Sequence, residues 1–302
     1  MESAWTSHVP LVAHHNEYLM HAILGMAASH LALLTGERSF GPLSVQHRIL
    51  AIKGSNETLS RSKRSGDDGD ALLSACYLLA FQSSYMIDGM EEYLQTMRGC
   101  YFLNYHLKRE NLQMTFFTTE DHHFDLVQES LVDLPVIDPM LVESAQQSLS
   151  SLLSILTTPS EFKFYNIMVE CVEALKSSSS KAYFNFVLLY IEMMQMDNES
   201  FTAFINPENF VTRILITHFL AIQLMLSPIT SKEFTGRRPI PVRHQIAWVF
   251  FGYDILPLHL KHFLEWPKTI ADCVKEELDG NQQLIPRVSI LRKSEGFCVG
   301  YV

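Results

Sequence analysis

Apolar residues recur along most of the chain at steps of three and four, the spacing that lines one face of an α-helix, and strand-like alternation never persists. Residues 17–36, EYLMHAILGMAASHLALLTG, show the pattern most fully. Ala22, Gly25, Ser29 and Ala32 make a stripe of small side chains against which a second helix backbone can close. Met20, Leu24, Ala27, Leu31 and Leu34 run beside it, and Gly36 stands where a helix stops. His21, Ser29 and His30 interrupt the apolar run, so the segment reads as a buried helix wrapped by neighbours and not as a membrane span.

The same period continues over 44–61, with Val45, Ile49, Ile52 and Leu59 on one face. SKRSGDDGD (62–70) lacks any apolar residue, and its last residue, Asp70, is placed to cap a helix over 71–87. After Gly89 the period resumes over 90–110. Residues 111–137 are mixed, with TTEDHHFD read as a loop before a short helix. Helical segments follow at 138–156, 160–176, 181–196 and 207–226, separated by TTPS, KSSSSK and NPE, and the tetraserine is too short to be more than a helix connection. An irregular stretch, SPITSKEFTGRRPIPVRH, precedes three proline-punctuated pieces, 244–256, 257–266 and 267–280. No fixed period repeats. The expectation is an all-α protein, a single large helical domain over 1–302 of about ten helices, and not a regular solenoid.

With 47% hydrophobic residues, 13 Gly and 12 Pro among 302, the composition excludes extended disorder. A formal net charge of −10 sets the summed field against phosphate, so direct nucleic acid binding is not expected. Cysteines 76, 100, 171, 273 and 298 are dispersed and odd in number, the pattern of buried free thiols in a reducing compartment. MESAWTSHVP has no basic stretch followed by an apolar run, so residence in the nucleus and cytoplasm is expected, with Asn56 and Asn198 unglycosylated.

GxGxxG, GxxxxGK[ST] and GxSxG are all absent, which removes the common phosphate cradles and the nucleophile elbow. Asp67, Asp68 and Asp70 lie in the wrong order for the magnesium sites of terpene cyclases and lack the remaining ligands of a calcium loop. Among the histidines only His259 and His262 have helical spacing, without a third ligand nearby. No enzyme, metal or cofactor is expected. What remains is a set of apolar faces suited to a hydrophobic ligand, which needs apolar walls and few polar anchors. Tyr77, Phe81 and Tyr85 share one helix; Leu215, His218, Ile222 and Met225 form a face on a second, with His218 as a polar anchor; Trp248 and Phe251 stand one turn apart on a third.

VPLVAHHNEYLMHAILGMAASHLALLTG, the following QHRILAI and the apolar LLSACYLLAFQSSY together resemble the regulatory domain of fungal zinc-cluster transcription factors, and within them the sterol uptake control protein group. Leu19, His21, Ala22, His30 and Leu31 carry the opening of that resemblance, and HFLEWPKTI, with Trp266 and Pro267, its closing segment. The six-cysteine zinc cluster that reads DNA in that family is absent from this chain, and RSKR at 61–64 does not replace it. The resemblance implies a helical regulatory domain, a homodimer, that binds a sterol-like small molecule and thereby controls transcriptional activation. The alternative is a helical protein–protein interaction module without a small ligand.

Overall fold

A computed structural model describes residues 4–115, 128, 131–234 and 242–280. Thirteen α-helices and no β-strand occur among the described residues. Ten of the helices are long, and Val9–Ala13, Asn198–Phe204 and Ser227–Thr230 are short. The all-α expectation of about ten helices therefore holds. The expected short helix after TTEDHHFD falls outside the described residues. The chain, read above as one domain over 1–302, divides into two compact units, Met1–Glu120 and Asp121–Val302.

The first unit contains α1 (Val9–Ala13), α2 (Glu17–Thr35), α3 (Phe40–Leu59), α4 (Gly66–Ser83) and α5 (Met90–Arg109). α2 packs along α3, and α4 pairs with α5 and also meets α2. The small stripe of α2 does what its side chains allow at Gly25, where a Cβ would stand 3.4 Å from the Arg48 backbone nitrogen; apart from the stripe, a Cβ on Gly54 of α3 would fall 2.5 Å from Tyr18 Cβ. Gly36 ends α2 at φ 68°, where its N–H donates to the Ala32 carbonyl. Yet α2 is not wrapped. Leu24 (41% exposed), Leu31 (41%) and Leu34 (65%) face solvent, because only the small-residue side meets α3 and α4. By length and composition α2 is long and apolar enough to cross a membrane.

The acidic break belongs to α4 itself. Ser65, not Asp70, caps the helix through a capping box with Asp68, so GDDGD forms its first turns. Asp70 is buried, and its Oδ2 accepts from His8 Nε2 at 2.8 Å and from the Thr115 N–H at 2.9 Å. At the other end of α4, Arg48 donates to the Leu79 carbonyl (2.7 Å), Gln82 Oε1 (3.1 Å), Ser83 Oγ (2.9 Å) and Glu92 Oε1 (2.7 Å). A cation here meets both a carbonyl of the last turn, which also accepts from Ser83 Oγ at 3.1 Å, and the negative end of the helix dipole.

The second unit contains α6 (Pro139–Leu152), α7 (Pro159–Ala174), α8 (Ser179–Gln195), α9 (Asn198–Phe204), α10 (Phe210–Met225), α11 (Ser227–Thr230), α12 (Val242–Ile255) and α13 (Glu265–Gly280). The polar connections start its helices: Asp138, Thr158, Ser178, Asp197 and Asn209 each accept a backbone N–H of the helix that follows. At Thr158 the box is completed by the buried Glu161, whose Oε2 accepts from the N–H groups of Thr157 (2.7 Å) and Thr158 (2.9 Å). α10 is buried nearly all round, from Thr212 to Met225 except Gln223, and α7, α12 and α13 pack on it. PLHLKHFLEW holds a 3₁₀ segment, Leu258–Leu264, whose His259 and His262 are both exposed.

Candidate functional site

In the first unit the tyrosine and phenylalanine positions lie on and just beyond α4. Tyr77 is half-buried, and burial, with the Cys100 and Cys76 thiols beside it, pushes its phenol up to about 12. Tyr85 follows the helix and shares a hydrogen bond of 3.0 Å with His30 Nδ1. Burial raises its phenol too. Phe81 stands 40% exposed, so a carboxylate placed there would remain hydrated instead of being stranded in an apolar wall. The unit also brings His21 and His47 together, Nδ1 to Nδ1 at 3.0 Å. His8, Asp67 and Asp70 place three ligating atoms within 4.8 Å of one another, and Asp70 there already accepts hydrogen bonds from His8 and the Thr115 backbone. Sequence spacing gave Asp67 and Asp70 but not His8, which sits 62 positions away from Asp70.

The second unit gathers its predicted residues more tightly. Leu215, His218, Ile222 and Met225 are fully buried on α10, and Trp248 is buried on α12, where Phe251 is half-buried. α12 approaches α10 closely at Gly252, where a Cβ would fall 2.7 Å from Thr217 Oγ1. His218 is the polar centre of this body. Its Nδ1 lies 2.9 Å from the Ile214 carbonyl, which can only accept, so Nδ1 carries the proton. Nε2 is then the acceptor for the Ser148 hydroxyl at 2.9 Å. Burial pushes the ring down to about 4, against a smaller opposing pull from the Ile214 carbonyl, and the imidazole is neutral at neutral pH.

Trp266 completes the arrangement from α13. Its ring stacks on His218 with centroids 5.9 Å apart and planes 21° from parallel, and its Nε1 donates to Ser144 Oγ at 3.0 Å. Ser144 and Ser148 are one turn apart on α6, the polar interruption of a face otherwise made by Val142, Ala145, Leu149 and Leu152. Sequence reading missed both serines, although their i, i+4 spacing on an apolar face was a signal. Both ring nitrogens of His218 have protein partners, so a ligand reaching this histidine must displace the Ser148 hydroxyl. The arrangement offers apolar surface and one exchangeable hydroxyl, that of Ser148.

Residues 2–124 match the family model of the fungal specific transcription factor domain. That is the opening part of the resemblance read from the α2, α3 and α4 segments, and it ends within four residues of the first unit's boundary at Glu120. No curated protein and no solved structure matches the chain. The matched family is one of fungal transcription factor domains and is not an enzyme family.

Proposed function

We propose that this chain is an effector domain of a fungal transcription factor, which controls transcriptional activation in response to a hydrophobic, sterol-like small molecule. The family match over residues 2–124 carries the regulatory part of the reading. The ligand part rests on the sterol uptake control resemblance and on the apolar face of α10, where Leu215, Ile222 and Met225 flank His218. Met225 supplies adaptable surface, and the Ser148 hydroxyl can exchange its histidine for a sterol hydroxyl. Trp248 and Phe251 are proposed as further ligand contacts within the second unit, and Tyr77, Phe81 and Tyr85 as ligand contacts within the first. The chain acts in the nucleus as a homodimer, resides also in the cytoplasm, spans no membrane and leaves DNA contact to another domain, in keeping with its charge of −10.

The test fuses the full chain to a heterologous DNA-binding domain in a fungal host and follows a reporter as sterol is depleted and restored. Reporter output that changes with sterol, together with a sterol retained by the purified chain in native mass spectrometry, is the expected outcome. An active reporter indifferent to sterol, with nothing retained, overturns the ligand. It leaves the second reading, an interaction module, which the exposed apolar stripes of α2 and α3 favour: Leu31 and Leu34 on one, Val45 and Ile49 on the other. A silent reporter overturns the regulatory reading itself.

A further inference from the structure

Cys76 and Cys100 are 24 residues apart in sequence, on α4 and α5, and their sulfurs lie 2.8 Å from each other. Neither is in a disulfide. Sequence alone presented them as two of five dispersed thiols; antiparallel pairing of α4 with α5 makes them neighbours. A disulfide bond is about 2.05 Å long, so closure requires the sulfurs to approach by roughly 0.8 Å, within the reach of small rotamer shifts. The two thiols are also inequivalent. Cys100 is 1% exposed and donates its S–H to Cys76 Sγ, whereas Cys76 is partly exposed and its own S–H points to the Thr96 carbonyl at 3.8 Å. A thiolate on Cys76 would keep the hydrogen bond from Cys100. The same hydrogen bond and burial raise the Cys100 thiol well above the usual thiol range, which leaves Cys76 as the sulfur that meets a soluble oxidant first.

We infer that Cys76 and Cys100 are an oxidisable dithiol, which peroxide converts into a disulfide that ties α4 to α5. In the first step the Cys76 thiolate attacks one peroxide oxygen, the O–O bond breaks, and the other oxygen leaves as water after taking a proton; Cys76 becomes a sulfenic acid. In the second, the Cys100 sulfur attacks Cys76 Sγ, the S–O bond breaks, and the leaving hydroxide departs as water with the Cys100 proton. Two thiols are oxidised, one peroxide is reduced, and two waters form. Tyr77 neighbours both sulfurs, so the oxidised state alters the surroundings of a proposed ligand contact. The dithiol itself stands independently of any ligand.

The experiment treats the folded full chain with a small excess of hydrogen peroxide, denatures it, alkylates the remaining thiols and maps the peptides. A Cys76–Cys100 linked pair is expected, with Cys171 and Cys273 still alkylated and the pair restored to thiols by dithiothreitol. In Cys100→Ser, dimedone is expected to label Cys76; in Cys76→Ser, Cys100 labelling is expected to fall at least tenfold below that. Circular dichroism of both variants confirms that they are folded. Full alkylation of Cys76 and Cys100 in peroxide-treated wild type overturns the proposal, and equal dimedone labelling of the two single variants overturns the assignment of Cys76 as the first sulfur oxidised.

Discussion

His218 shows how much one buried side chain can set. The folded environment holds its ring near 4, below the ordinary 6.5, through burial first. The stabilisation tied to a neutral ring is therefore complete above the ordinary value and is lost as pH falls through it toward 4, because the unfolded chain binds the proton more readily. Replacing His218 by Leu removes this dependence. The difference in unfolding free energy between wild type and His218→Leu is expected to shrink by about 2 kcal/mol between pH 7 and pH 5, measured by urea titration at both values. A difference that stays constant rules out His218 as the titrating group. His218 stood out in the sequence as a polar residue on an apolar face, which was right as to its burial. Its partners could not be read there: Ser148 is 70 positions away and Trp266 stacks from another helix.

At the scale of elements, Arg48 joins α3 to the end of α4 and the start of α5, through hydrogen bonds to Leu79, Gln82, Ser83 and Glu92. Gln82 extends the node to Ser29 Oγ on α2 and the Ser44 carbonyl on α3. Arg48→Met keeps the apolar stem and removes the charge, taking a donor from the Leu79 carbonyl and from three polar side chains, Gln82, Ser83 and Glu92. The expected cost is about 2–4 kcal/mol, read by chemical denaturation, and a loss below about 0.5 kcal/mol would show that the node is dispensable. Helix type and most helix positions were legible because periodicity and prolines are local signals: the separator TTPS contains Thr158, which caps α7, and NPE directly precedes Asn209, which caps α10. The start of α4 was misread because the capping box of Ser65 and Asp68 competes with Asp70 as a starting signal and wins. Nor can periodicity tell an apolar stripe that packs from one that stays exposed, and α2 carries one of each.

For the whole molecule, the charge of −10 works against self-association, so two copies can meet only through a face where that repulsion is weak. Between Glu17 and Glu37 α2 has no Asp, Glu, Lys or Arg, and its outward Leu24, Leu31 and Leu34 supply apolar area. The proposed homodimer would use this stripe. Leu31→Asp with Leu34→Asp is expected to give monomer in sedimentation velocity at concentrations where wild type is dimer, with an unchanged helical spectrum. A variant that sediments like wild type removes α2 from the interface. The same stripe bears on handling the protein. Ammonium sulfate both screens the acidic field and strengthens apolar association, so retention on a phenyl-substituted matrix should rise steeply with salt and reverse on dilution. The two aspartates would abolish most of that retention, which makes chromatographic behaviour a quick preparative readout of which face of α2 is outermost.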